Sequence, residues 1–98
     1  MKALLCGAIR ERRVLALEYE PSPGTRVVEP HALGVARTGD EMLVAWQLSG
    51  PSISGAGTGW KNFRVSRLRN VVTAGTFLGP RPEYSRGTVQ LAQVLCQL

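Results

Sequence analysis

The chain has 98 residues, which allows one small domain and leaves little room for a second hydrophobic core. It carries 12 Lys+Arg against 7 Asp+Glu, a net charge of +5, and ten of its basic residues are arginine. No stretch approaches the roughly 18 apolar residues of a membrane span, so we expect a soluble, cytoplasmic protein without a membrane partner. One histidine and two cysteines argue against a zinc site and against nucleophile–base catalysis, so we expect no enzyme activity and no cofactor.

The predicted elements begin with an amphipathic helix and continue as short strands. Apolar residues at helical spacing, with arginines on the other side, predict a helix over 3–13. Alternating apolar and polar residues then predict a strand over 14–20, followed by a turn at 21–24. Further extended segments are predicted at 25–29, 32–36, 42–48, 60–66 and 71–77.

Two connections and a terminal element complete the chain. The segment 49–59 is rich in glycine and serine and predicts a surface loop, while prolines stiffen an irregular segment at 78–84. A short C-terminal helix is predicted from four apolar residues at helical spacing after an N-cap: Leu91, Val94, Leu95 and Leu98, after Thr88. We therefore expect one domain over 1–98, a small antiparallel barrel or sandwich with helices at its open ends.

The two cysteines, Cys6 and Cys96, lie near opposite ends of the chain among apolar neighbours. Buried, reduced thiols are the simpler interpretation, because disulfide frameworks in small domains usually contain four or more cysteines. A disulfide that joins the two ends is the alternative. The sequence leaves both open.

Four basic residues and two aromatic residues interleave between Trp60 and Arg69. Bases stack on aromatic rings while arginines hold phosphates, so this segment suits single-stranded nucleic acid. The alternative is the solvated face of a strand, with Trp60 packed under a terminal segment. His31, the one histidine, follows a proline at a strand end, where it either bonds to the backbone or donates to an anion.

The order of several segments resembles a WYL domain. The matching segments are 8–13, 17–19, 26–31, 43–45 and 63–68, with the match ending at Phe77. The resemblance covers about residues 4–78 and leaves a tail at 79–98. It implies a mainly β (α+β) fold, a small SH3/Sm-like antiparallel β-barrel preceded by a helix.

The resemblance also implies a function, because WYL domains occur mostly as sensor modules of bacterial transcription regulators. Carried over by position, the candidates for contacting phosphates are Arg26, His31, Arg64 and Arg67, and Trp60 offers a stacking face. The signature Trp-Tyr-Leu reads Glu41-Met42-Leu43, and the sequence shows no helix-turn-helix segment. The first hypothesis is a ligand-binding module for single-stranded nucleic acid or a nucleotide-like anion, and the alternative is a protein-interaction module that forms homo-oligomers.

Overall fold

A computed structural model describes residues 1–52, 57–84 and 91–98 as a single antiparallel sheet with one helix. The elements in chain order are α1 (Lys2–Glu11), β1 (Arg13–Tyr19), β2 (Ser22–Val35), β3 (Glu41–Ser49), β4 (Gly59–Arg64), a 3₁₀ turn (Val65–Arg67), β5 (Leu68–Thr76) and β6 (Gln93–Gln97). The strand order is β4-β3-β2-β1-β5, and β6 pairs with β2. The mainly β fold with an N-terminal helix is therefore confirmed. The helix in the described part of the chain is too short to cross a bilayer.

The long strand β2 organises the sheet. Two predicted strands, 25–29 and 32–36, are one strand of 14 residues, whose register against β3 shifts between Pro30 and Ala32. The first half of β2 pairs with β1, and the second half of β2 pairs with β6. Among the described strands, β4 and β5 each have one partner, so the sheet is open and closure into a barrel is not confirmed.

The prediction of a C-terminal helix is wrong over its described part. Residues Gln93–Gln97 form strand β6 instead, in antiparallel register with Ala32–Val35 of β2. A helix of this length gains too little from local hydrogen bonds to form alone, whereas the edge of β2 offers ready partners. Gly34 permits the close approach, because a Cβ there would lie 2.2 Å from the carbonyl oxygen of Gln93. The predicted N-cap, Thr88, lies outside the described residues.

The core lies between one face of the sheet and α1. Leu5 and Ile9 of the helix are fully buried, as their helical spacing predicts. The buried apolar side chains that they join come from every strand: Leu15 and Leu17, Val28 and Leu33, Leu43 and Ala45, Phe63, Leu68 and Cys96. The helix ends at Glu11, and the left-handed conformation of the C-cap residue Arg12 (φ 53°) turns the chain directly into β1.

A disulfide joins Cys6 of α1 to Cys96 of β6, across 90 residues of sequence. The interpretation as reduced thiols is therefore wrong, and the alternative of a covalent link between the chain ends holds. In the chain-entropy account, a loop of this length restricts the unfolded state by about 4 to 5 kcal/mol. A cytoplasmic location stays a prediction, and the disulfide weighs against it because cytosolic reductants keep thiols reduced.

Candidate ligand-binding pocket

Arg26 enters the interior of the fold from the start of β2. It lies opposite Leu17 of β1, so its side chain shares the inward face of the sheet, and only 3% of the residue is exposed. The guanidinium carbon lies 5.5 Å from the ring centre of Tyr19 and 5.6 Å from that of Phe63. Burial lowers the pKa of Arg26, with Tyr19 acting in the opposite direction. Arg26 is thus a buried cation supported by two aromatic rings.

The hydrogen-bonding capacity of Arg26 is mostly unused. Its Nη1 donates to Oε1 of Gln47 over a long 3.4 Å, while Nε and Nη2 have no partner among the described residues. Buried N–H groups without an acceptor cost about 1 to 3 kcal/mol each, more when the group is charged. An acceptor that reached these nitrogens would remove that cost.

Gln47 is oriented by the loop that follows β3. Its amide nitrogen donates to carbonyl oxygens of Gly50, Pro51 and Gly57 at 3.2, 2.9 and 2.8 Å, which turns Oε1 toward Arg26. Gly50 has a φ of 114°, and a Cβ there would lie 2.8 Å from the Cα of Arg26. The loop therefore packs directly on the backbone that carries the buried arginine.

A pocket of about 250 Å³ lies next to Arg26. Its described lining residues are Tyr19, Arg26, Ser52, Trp60, Lys61, Asn62 and Phe63. They include two cations and no acidic side chain. Lys61 donates from Nζ to Oγ of Ser52 at 2.7 Å, which holds the ammonium group at this pocket. Two cations, an amide and aromatic rings are the groups that recognise a phosphate attached to a ring system.

His31 lies on the same strand but has a different environment. It is fully buried, and its ring packs against Trp60 (4.8 Å), Tyr84 (5.0 Å) and Phe77 (5.6 Å between ring centres). The backbone N–H of Arg81 donates to Nε2 at 3.1 Å, so the ring proton belongs on Nδ1, 2.8 Å from the carbonyl oxygen of Glu29. Burial lowers the pKa of His31, which favours the neutral form of the ring.

The segment 77–84 covers His31, and we call it the C-terminal cover. Arg81 binds both carboxylate oxygens of buried Glu29, with Nε–Oε1 at 2.6 Å and Nη2–Oε2 at 3.1 Å. These hydrogen bonds raise the pKa of Arg81, whose guanidinium also lies 5.4 Å from the Trp46 ring. The hydroxyl of Tyr84 lies 3.4 Å from the carbonyl oxygen of His31. The cover is therefore fixed by polar contacts as well as by rings.

The predicted site residues fall into three groups, of which buried His31, described above and outside the described lining, forms one by itself. Arg26 and Trp60 line the pocket, and Trp60 also touches His31 on the side of the cover. Arg64 and Arg67 are exposed and outside the described lining. Arg64 lies 3.9 Å from the carboxylate of Asp40, and its backbone N–H donates to the hydroxyl of Tyr19 at 3.0 Å, so it is connected to the pocket through the main chain.

Sequence reasoning missed several residues of this region. Lys61 lies inside the basic and aromatic segment, and Tyr19 lies on the inward face of a predicted strand, so both had a local signal. Gln47 reads as one polar residue in an apolar strand. The pairing of Glu29 with Arg81 joins residues 52 positions apart and has no local signal.

Two larger cavities are less suited to binding an anion, because each contains at least one acidic side chain. One of about 560 Å³ is lined by Glu29 and residues 76–82, and the Glu29 carboxylate there is bound by Arg81. The other, of about 420 Å³, contains Glu18 and Glu20, of which Glu20 pairs with Arg69 at 2.8 Å. Within the described ranges no cluster of three His, Cys, Asp or Glu side chains could hold a metal ion.

Comparison with known protein families gives a match to the WYL domain over residues 2–73. WYL domains are ligand-binding, regulatory modules. No curated protein and no solved structure matches the chain. The matched region ends within β5, so the C-terminal cover and β6 lie outside it.

Proposed function

The chain belongs to the WYL domain family, and we propose that it is a non-enzymatic module of bacterial regulation that binds single-stranded nucleic acid or a nucleotide-like anion. The observation that carries this proposal is the buried guanidinium of Arg26 beside a pocket, because two of its nitrogens have no partner among the residues that the structure describes. Lys61 adds a second positive charge, and Trp60 adds a stacking surface.

Exposed arginines extend this basic region beyond the pocket. Arg64 follows pocket residue Phe63 directly, and Arg67 lies in the 3₁₀ turn that comes next. Both side chains are exposed, as expected for groups that meet a phosphate backbone rather than one buried anion. We therefore assign Arg26 and Trp60 to the pocket and Arg64 and Arg67 to the approach of a longer strand. His31 acts on this site through its contact with Trp60.

The proposal is tested by fluorescence anisotropy with labelled single-stranded and duplex oligonucleotides between about 50 and about 200 mM salt. Affinity for the single strand should fall steeply as salt rises, because binding releases counterions. Alanine at Arg64 or Arg67 should reduce the logarithmic salt slope by about 1 each. Arg37→Ala is the matched control, since this exposed arginine lies in the turn after β2. Binding that ignores salt, or no binding at micromolar protein in low salt, would refute the proposal.

A second candidate is a homo-oligomeric interaction module, which the open sheet favours. The outer edges of β4 and β5 pair with no other described strand, and such edges can accept a strand of another chain. Leu78 is fully exposed and Val72 is 56% exposed near the edge of β5. Light scattering decides between a monomer and an assembly, and a strictly monomeric protein at high concentration would exclude this candidate.

A further inference from the structure

The depth of Arg26 limits which anions can reach it. The residue is 3% exposed, its Nε and Nη2 are buried, and its guanidinium carbon lies near the rings of Tyr19 and Phe63. A ligand can hydrogen-bond to these nitrogens only if it inserts a narrow acceptor group into the pocket and displaces the lining side chains slightly. A group that carries substituents on both sides cannot do this.

The two kinds of phosphate in a nucleic acid differ in this respect. An internal phosphodiester is flanked by a sugar on either side, whereas a terminal phosphate monoester projects from the strand end with three acceptor oxygens. The guanidinium fork matches two such oxygens in one plane. A buried guanidinium whose Nε and Nη2 have no partner among the described residues therefore suits a monoester.

The charge of the pocket points the same way. Arg26 and Lys61 contribute two formal positive charges, and the other described lining residues are uncharged. A phosphate monoester carries about −1.5 to −2 near neutral pH, while a diester carries a single negative charge. A monoester thus balances the two cations more closely than a diester does.

The size of the pocket limits how much of the ligand beyond the phosphate can enter. At about 250 Å³ the pocket is below the roughly 300 to 1,000 Å³ of sites that enclose a drug-sized ligand. It holds a phosphate and part of the attached sugar, and the base then lies at the rim. Trp60 and Asn62 are among the lining residues, so a ring and an amide are available to the base.

We propose that this pocket recognises a terminal phosphate monoester, the end of a nucleic-acid strand or a free mononucleotide, in preference to an internal phosphodiester. This inference rests on the proposed function and names the ligand class of the same site. Arg26 holds two phosphate oxygens, and Lys61 neutralises the second charge.

The test compares labelled thymidine oligonucleotides that differ in one group. One pair carries the label at the 3′ end and has either a 5′-phosphate or a 5′-hydroxyl, and the second pair has the polarity reversed. The full-length protein should bind at least one phosphorylated end about tenfold or more tightly than the matching hydroxyl end. Competition with thymidine monophosphate, with thymidine as the control, distinguishes recognition of a free mononucleotide from recognition of a strand end. If the free monophosphate competes, the monoester alone is recognised, and if only the strand end competes, neighbouring nucleotides contribute as well.

Substitutions at Arg26 assign the effect to the pocket. Arg26→Met removes the guanidinium but keeps an unbranched side chain, and it should abolish the advantage of the phosphorylated end. Arg26→Lys retains the charge without the fork and should keep part of the advantage. Arg37→Met, the same change at an exposed arginine, should leave the advantage at its wild-type value. Thermal unfolding of each variant shows that it is folded.

The outcomes separate this inference from the proposed function. Equal affinity of the wild-type protein for phosphorylated and hydroxyl ends would overturn the monoester inference and leave strand binding standing. An advantage that survives in Arg26→Met would also overturn it, because the recognition would lie elsewhere. If no probe binds at micromolar protein in low salt, both proposals fail. Should Arg26→Met not fold, Arg26→Lys and the wild-type comparison still decide.

Discussion

Arg26 and His31 lie five residues apart on β2, and both are buried beside aromatic rings, yet they differ in how many of their nitrogens are hydrogen-bonded. Both ring nitrogens of His31 are hydrogen-bonded, one to the carbonyl oxygen of Glu29 and one to the N–H of Arg81. Two nitrogens of Arg26 have no partner in the described part of the chain. Trp60 touches both regions, since it lines the pocket and packs on His31.

The difference between the two residues teaches that burial of a polar side chain does not by itself indicate a binding site. A buried group whose hydrogen bonds are all made contributes to structure, because any ligand would have to replace bonds that already exist. A buried group with unused donors is costly in the free protein, and a ligand recovers that cost. Substitutions at the two positions should therefore change the free energy of unfolding by different amounts and in opposite directions.

The largest expected effect is at His31. Leucine at this position leaves the Glu29 carbonyl and the Arg81 N–H without partners, and we expect the free energy of unfolding to fall by about 3 kcal/mol. Urea denaturation at neutral pH measures it. His31→Gln offers an acceptor for the Arg81 N–H and should lose less. A His31→Leu protein as stable as wild type would contradict a structural role.

A smaller effect should follow from pH alone. Because burial lowers the pKa of folded His31, the unfolded chain binds a proton more readily as the pH falls below 6.5. Stability attributable to this residue is complete above that pH and decreases by at most about 1.4 kcal/mol per pH unit down to the lowered pKa. Urea denaturation of wild type and His31→Gln across this range isolates the contribution. Parallel curves for the two proteins would show that His31 does not titrate in this way.

The smallest change in stability is expected at Arg26. Methionine removes a buried charge, two of whose nitrogens have no partner in the described ranges, and it retains most of the apolar stem. The contacts of the cation with Tyr19 and Phe63 are lost. We expect the free energy of unfolding to stay within about 1 kcal/mol of wild type, with a gain as the favoured direction. Urea denaturation beside His31→Leu makes the comparison direct. A loss as large as that of His31→Leu would place Arg26 among the structural residues.

Local patterns predict much of the fold. The helix, the first hairpin and the apolar strand β3 follow from periodicity and turn residues, and they are the elements whose partners lie nearby in sequence. The C-terminal strand could not be predicted in this way. Leu91, Val94, Leu95 and Leu98 fit a helical period, and the choice of strand depends on the unpaired edge of β2 about sixty residues earlier.

The candidate site is predictable only in part, for a similar reason. The alternation of apolar and polar residues and the family resemblance indicate Arg26 and Trp60. They predict which face of the sheet a side chain lies on, but not how deeply it is buried. Arg26 is deep and Arg64 is exposed, although the resemblance places both in one basic groove. The partner of His31 comes from Arg81, fifty residues away, so its hydrogen bonding could not be inferred from the surrounding sequence.

The Cys6–Cys96 disulfide has a further consequence for the integrity of the molecule. It closes nearly the whole chain into one covalent ring, because the link spans 90 of the 98 residues. A single proteolytic cut within that ring opens the backbone without releasing a fragment, so the two pieces stay together at high effective concentration. A cut in a connecting loop therefore changes the order in which the strands are linked but removes no strand from the sheet.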